Sequence, residues 1–569
     1  MHVIRYSMFW AMTFWGAICN CMLADIQAGE LPDYRQLKLP GLVQTAVGVT
    51  RRATPIVALV DAQEPQYDTR KCRVLLIGGF DGERRSVDAV LDTVQWFANH
   101  DDAAAHRELI SIAAIACANP DGLLLEKGFE NGVGGTPVKG YPPHGKLYLS
   151  ETNPEAQYLW QWIQLHAPDV VYEVRVGAKP AAKPSLAELL NKPSDRDTLV
   201  AALQAADTPT PAHRWELTTN EKENSLLKLL QTDAFKSPPR SPLRTAMLAR
   251  VKRSRKEIVE LLRDERKLQQ IGRMYYDTLP WLAFERMGRI DLLKAAPNLP
   301  MQAAKSGSEM AGLLFYAEYQ PAFPDSDIRI KKMRPGSSHP LMEAANLAFD
   351  KQGKPLPEPP FHNQMSDAVF MNGPLLSRVG GITSDDAYFD ACAQHVQFIL
   401  KMCHRDDDLY RHSPQCEAAW GRGNGFVAMG LALVLEDFPE KHPEHKKLLA
   451  AYQSHMAALK KHQDYTGCWH QVIDHPESYR EFTSTCMIGF AMARGIRGKW
   501  IDAREYQPCV DRAWQAALAR TSSKGEFADV CTGTGKQQTL RDYFDREATQ
   551  GKDARGTSML LMFATERKQ

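Results

Sequence analysis

Asp408 to Phe426 reads DLYRHSPQCEAAWGRGNGF and gathers Arg411, His412, Glu417, Trp420, Arg422 and Asn424 ahead of an apolar run, Phe426 to Leu435. A packed core has no need of so many polar and aromatic groups in one Gly-broken loop. A sugar site does, because rings stack on pyranose faces and Arg and His pair with a carboxylate. Three further segments share the pattern: MSDAVFMN around Asp367, CWHQVIDHPESYREFTST from Cys468, and YFDREATQGKDARGT from Tyr543. The second of these adds Trp469, His470, His475, Tyr479 and Arg480. Arg541, Tyr543, Asp545, Arg546 and Asp553 crowd the last, where subsite contacts and ion pairs are both open readings.

Asp367 stands one residue ahead of an apolar helix. A carboxyl beside low-polarity groups has its charged form disfavoured, which suits a general acid. The competing role for an Asp at a helix start is an N-cap. Glu417 is the acid nearest Trp420, and its competing role is an ion pair with Arg411. His455 falls on the stripe of Leu448, Tyr452 and Leu459, so it reads as core.

Each polar segment leads into a helix apolar nearly all round: 368–376, 426–435, 486–493 and 558–564. Such a helix is buried. Charged amphipathic helices, such as 446–462 and 506–519, alternate with them and must lie outside. The apolar helices recur at roughly 55 to 75 residues, the mark of a repeated hairpin. If the inner helices run the same way, the polar loops meet at one mouth.

The quoted segments resemble the unsaturated glucuronyl and rhamnogalacturonyl hydrolases, glycoside hydrolase families 88 and 105, most closely the second. The resemblance rests on SDAVFMNGPLLSRVG from Ser366, WGRGNGF from Trp420, TGCWHQVIDHPESYREFTSTCM from Thr466 and DVCTGTGKQQTLRDYFDR from Asp529. It implies an all-α, six-hairpin (α/α) barrel over 261–569. It implies a substrate, an oligosaccharide with a 4,5-unsaturated uronic acid at its non-reducing end, and hydration of the vinyl ether. Asp367 matches an essential Asp, Tyr479 a position often held by a sugar-holding Trp, and Glu417 stands where related enzymes have an Asp in a longer loop. The expected catalytic pair is Asp367 and Glu417. The expected substrate-binding set is His412, Trp420, Arg422, Trp469, His470, His475, Tyr479 and Arg480. No metal or other cofactor is expected.

Residues 29–180 alternate apolar strands (74–77, 109–116, 170–176) with helical segments, which implies a parallel α/β sheet covered on both faces. GGFDGERR from Gly78, ANPDG from Ala118 and HAPDVVYEVRVG from His166 resemble a zinc carboxypeptidase. The first block of that family carries a His and a Glu as zinc ligands. Here Asp81 and Arg84 stand in their places, and VYEVRVG offers no third His, so the resemblance implies the fold and a degenerate, metal-free site. Asp81, Glu83, Asp121 and Glu173 remain as polar groups there. Residues 181–260 read as a linker and helical connector, which predicts that the two parts fold separately.

The chain has 569 residues, 44% hydrophobic, with a net charge of +1, so no global field favours nucleic acid or an anionic membrane. The basic run Lys236 to Lys256 reads as a solvated linker or helix face. His2 and Arg5 precede an apolar run, Met8 to Leu23, short for a span, which reads as a signal peptide over 1–28 and predicts a secreted or periplasmic protein with no membrane span in the mature chain. Of 11 cysteines, Cys19 and Cys21 would leave with the signal; the rest form no CxxC pair, and their pairing is not set by the sequence. The oligomeric state is likewise open. Two other functions remain open: a metallopeptidase acting through the first domain, and a non-catalytic carbohydrate-binding protein.

Overall fold

The structure is a computed structural model describing residues 30–62, 67–176, 197–217, 225–230, 239–264, 272–289, 304–318 and 340–567. The expected signal segment and the Pro- and Lys-rich stretch 178–193 lie outside the described residues.

The first part is a six-stranded sheet in the order β1-β2-β4-β3-β5-β6. The strands are β1 (Leu42–Val49), β2 (Pro55–Asp61), β3 (Cys72–Ile77), β4 (Ile110–Ile115), β5 (Val170–Val176) and β6 (Ala212–Leu217). β4, β3, β5 and β6 are parallel; the β1–β2 hairpin joins antiparallel at the β4 edge. β3 and β4 are buried at every position, as helix-covered central strands must be. Helices α1 (Arg84–Asn99) and α2 (Pro154–His166) follow β3 and precede β5, as the alternation of patterns predicts. β6 extends the sheet into the stretch read as connector. Its outward residues His213, Arg214 and Glu216 are exposed or half-buried, so the strand carries little apolar signal.

Two helices bridge to the second part, α3 (Pro242–Val251) and α4 (Arg255–Asp264). The basic run around them is neither a solvated linker nor a free face. Arg244 is buried and pairs with Asp169. Arg253 donates to the carbonyls of Leu518, Thr521 and Ser522, and Arg255 to that of Arg567. These cations satisfy carbonyls left over at helix C-termini, where the dipole also favours positive charge.

The helical part comprises α5 (Tyr275–Arg286), α6 (Gly307–Gly312), α7 (Leu314–Glu318), α8 (Ala368–Thr383), α9 (Asp386–Cys403), α10 (Gly421–Asp437), α11 (His445–Lys461), α12 (Phe482–Arg497), α13 (Ala503–Ala519) and α14 (Ala554–Thr565). α5 packs on α6 and α7, these on α8, α8 on α10, α10 on α12, α12 on α14, and α14 back on α5, closing a ring. α9, α11 and α13 pack outside α8, α10 and α12. The apolar helices are thus the inner ones. At Gly430 a Cβ would stand 2.8 Å from the Phe370 amide nitrogen, so α8 and α10 approach backbone to backbone there.

The C-terminal ends of the inner helices are tied by a chain of ion pairs. Arg286 pairs with Glu318, Arg378 with Glu318 at 3.2 Å and with Asp437 at 3.0 Å, Arg494 with Glu436 and with Glu566 at 2.5 Å. Burial pushes the Asp437 carboxyl up to about 7; Arg378 pulls it down, but Glu436 and Glu318 push it up. A carboxyl whose folded pKa is raised costs stability as its charge forms. That cost is complete above about pH 7 and relieved as pH falls toward the ordinary carboxylate range. Asp437→Asn should therefore stabilise the protein, by roughly 1–2 kcal/mol more at pH 8 than at pH 5. Denaturant melts at the two pH values test this, and equal gains would refute it.

The two parts share a core. Val47, Tyr148, Tyr158 and Trp162 of the sheet domain pack in one cluster with Trp420, Tyr479 and Tyr543 of the helical part. Tyr148 stacks on Tyr479 at 4.3 Å and 8°, and its hydroxyl donates to Asp529 at 2.9 Å. Arg51 pairs with Asp545 at 2.6 Å, and Arg541 donates to the Thr50 carbonyl at 2.6 Å. A joint apolar cluster and buried polar ties argue against the separate folding expected from the connector.

Candidate active site

Asp367 occupies the N-cap position of α8, with helical backbone angles, yet its side chain makes no capping hydrogen bond. It is 14% exposed, and its Oδ1 is buried without a hydrogen-bond partner. That atom faces His412 Nε2 at 3.4 Å, which is also buried and unbonded. The other ring nitrogen of His412 lies 2.9 Å from the Tyr543 hydroxyl. Tyr543, His412 and Asp367 thus stand in a line. Trp420 packs on the His412 ring at 4.3 Å.

Arg422, in the first turn of α10, is buried. It donates to the carbonyls of Cys531 and Thr532 and lies over the Trp420 ring at 5.2 Å. Burial works against its charge, but the neighbouring Glu481 favours it. Tyr275 packs edge-on against Phe370 and Phe426, each 5.6 Å away and each one turn beyond Asp367 or Arg422. Burial pushes its hydroxyl up to about 12, with Arg422 and Arg555 pulling down and Asp367 pushing up. Arg555, in the first turn of α14, pairs with Asp553 at 2.6 Å. Tyr275 and Arg555 were missed in the sequence. Arg555 had a signal: like Arg422, it opens an inner helix behind a polar loop.

The other expected residues lie elsewhere. Trp469 is buried and donates its indole N–H to the Leu459 carbonyl at 2.7 Å. His470 is buried, bonded to the Ser478 carbonyl at 2.6 Å and 3.5 Å from Asp464. Arg480 pairs with Asp464 and reaches Thr45 Oγ1 at 3.2 Å on β1. Tyr479 stacks on Tyr148, as described. These four serve the barrel wall and the seam with the sheet domain. His475 pairs with Glu477 at 2.9 Å, which raises its pKa despite burial. Glu417 is 71% exposed and pairs with Arg411 at 2.6 Å. Both line an outer groove of about 480 Å³ with Arg405 and Asp474. The short loop leaves Glu417 on the rim, which favours its ion-pair role. His455 is buried between the carbonyls of Asp408 and Asn424, and burial holds it neutral with a pKa near 4.

In the sheet domain Asp81 accepts from Ser86 at 2.6 Å and from the Val176 amide at 2.8 Å. Arg84 is exposed and pairs with Asp88 at 2.7 Å. Glu173 pairs with Arg175 at 2.5 Å and Arg214 at 3.2 Å, and Asp121 accepts from Thr54 at 2.6 Å. Asp81 is consumed by structural bonds, and arginines stand where a metal would need ligands. Among the described residues no group of three His, Cys, Asp or Glu side chains could hold a metal ion. The nine described cysteines are all thiols.

Residues 350–569 match the family model Glycosyl Hydrolase Family 88, so the C-terminal region carries a domain of that glycoside hydrolase family. An unsaturated rhamnogalacturonyl hydrolase, YesR of Bacillus subtilis, is 26% identical over 193 residues, 31% of this chain and 52% of its own length. The chain thus spans about half the length of that curated relative. A structure described as a possible member of the GH105 family, from Klebsiella pneumoniae, aligns over 59% of this chain and 96% of its own at 18% identity and a TM-score of 0.45. A metallo-carboxypeptidase from Burkholderia cenocepacia aligns over 25% and 38% at 19% identity and a TM-score of 0.22.

Proposed function

We propose that the protein removes a 4,5-unsaturated uronic acid from the non-reducing end of lyase-generated oligosaccharides, within a six-hairpin (α/α) barrel. The observation that carries this reading is the Asp367 carboxyl, 14% exposed, unused as a cap and facing His412. Asp367 donates its proton to C4 of the sugar. The oxocarbenium ion left at C5 takes water, whose proton returns to the Asp367 carboxylate. The hemiketal then opens and releases the rest of the oligosaccharide. One carboxyl serves as acid and then as base. Arg422 and Arg555 provide the positive side of the site for the uronate carboxylate. The apolar run after Arg5 supports export as part of the same reading.

The test follows the ultraviolet absorbance of the unsaturated uronate across lyase digests of pectin, rhamnogalacturonan and glycosaminoglycans. One digest should lose absorbance; a protein inert on all of them that still binds oligosaccharide is a binding protein instead. The peptidase alternative predicts zinc. We expect elemental analysis after dialysis to give well under one zinc per chain, because Arg84 and the arginines around Glu173 repel it; one retained equivalent would revive that alternative.

A further inference from the structure

A cavity of about 250 Å³ lies in the seam between the sheet domain and the barrel, away from Asp367. Its walls carry Tyr148, Tyr158 and Trp162 from the sheet domain and Tyr465 and Tyr479 from the barrel. Arg520 lines it just beyond the end of α13. This guanidinium is 4% exposed, and its side chain makes no hydrogen bond among the described residues. Its nearest anion, Asp529, stands 3.8 Å off and is already bonded to Tyr148 and Gln550. The Arg520 Nε is buried without a hydrogen-bond acceptor, which is costly. The complement to a guanidinium fork is a carboxylate, held through two parallel bonds. Gln161, also on the wall, makes no side-chain hydrogen bond among the described residues, and Thr466 and Gln515 add hydroxyl and amide groups to the lining. Aromatic faces, a carboxylate acceptor's partner and scattered hydroxyl partners are the groups a single sugar acid needs.

We propose that this interdomain cavity binds a monosaccharide-sized uronic acid, its carboxylate on Arg520 and its ring against the aromatic wall. The ligand would join the two parts of the chain, since Tyr148 and Tyr479 come from opposite sides. The proposal stands apart from the barrel's reaction, and its failure leaves that reading untouched.

Calorimetric titration of the full chain with D-galacturonate tests it, with D-galactose and benzoate as comparison ligands. Galacturonate should bind, and each comparison ligand at least about tenfold more weakly. Arg520→Lys keeps the charge but removes the fork, and Ala516→Leu fills the cavity while leaving every charge. Each should weaken galacturonate at least about tenfold and leave loss of substrate absorbance unchanged; if one variant misfolds by circular dichroism, the other decides. No binding to the wild type overturns the proposal. So does binding that survives in a folded variant but is lost in Arg422→Met, which would place the uronate at the mouth. Benzoate binding as tightly as galacturonate would overturn the sugar assignment.

Discussion

Asp367→Asn should lower turnover on the unsaturated substrate at least about a hundredfold, the usual scale for a positioned acid or base. Folding should be intact, because the carboxylate makes no capping bond that the substitution would remove. Substrate should still bind, since Arg422 and Arg555 are untouched. Glu417→Gln, by contrast, removes an exposed ion pair with Arg411 and should change turnover less than about threefold. Steady-state rates and binding of the two variants side by side decide between one working carboxyl and two. An equal, large loss in both would restore Glu417 as the partner acid. Full activity in Asp367→Asn would show that the chemistry lies elsewhere.

The largest effect on stability should come from Arg480→Met. Arg480 and Asp464 are both buried, and Asp464 also accepts from the Thr466 amide at 2.9 Å, Thr466 Oγ1 at 2.7 Å and the Cys468 amide at 3.1 Å. Burial opposes the Asp464 charge, but Arg480 and His470 hold the carboxyl far below the usual range. Breaking a buried pair by removing one partner costs about 3–5 kcal/mol. The wild-type carboxyl has a depressed folded pKa, so its contribution is present above the ordinary carboxylate range and lost as pH falls through the folded value. Without Arg480 the folded pKa rises, and the variant recovers as Asp464 takes up a proton. The gap between variant and wild type should therefore narrow as pH falls from 7 toward 4. Thermal melts across that range test this, and a pH-independent gap would mean that lost packing, not charge, is responsible. Limited proteolysis should also cut faster near Thr45, because Arg480 ties the barrel to β1. For the same reason a chain beginning near Lys256 should be poorly soluble, with Tyr479 and Tyr543 stripped of their cover.

The sequence by itself determined the elements and which helices are inner. A helix apolar on every face can only be buried, and α8, α10, α12 and α14 are. Strand–helix alternation likewise predicted the parallel part of the sheet. The placing of Asp367, Trp420 and Arg422 was legible because they stand in or just before the first turn of inner helices, whose position follows from the helix itself. The segment from Trp469 to Arg480 was not legible in the same way. Its rings and cations suit a sugar mouth or a partner surface equally well, and composition cannot tell them apart. The choice was made by β1 and the loop carrying Tyr148, several hundred residues earlier, which dock on that segment and take up Arg480 and Tyr479. Arg520 shows the same limit: as a basic residue at the end of an amphipathic helix it reads as surface. Only the closing of two separate domains over it left its guanidinium buried beside a cavity, because burial is decided by contacts between distant residues and not by local pattern.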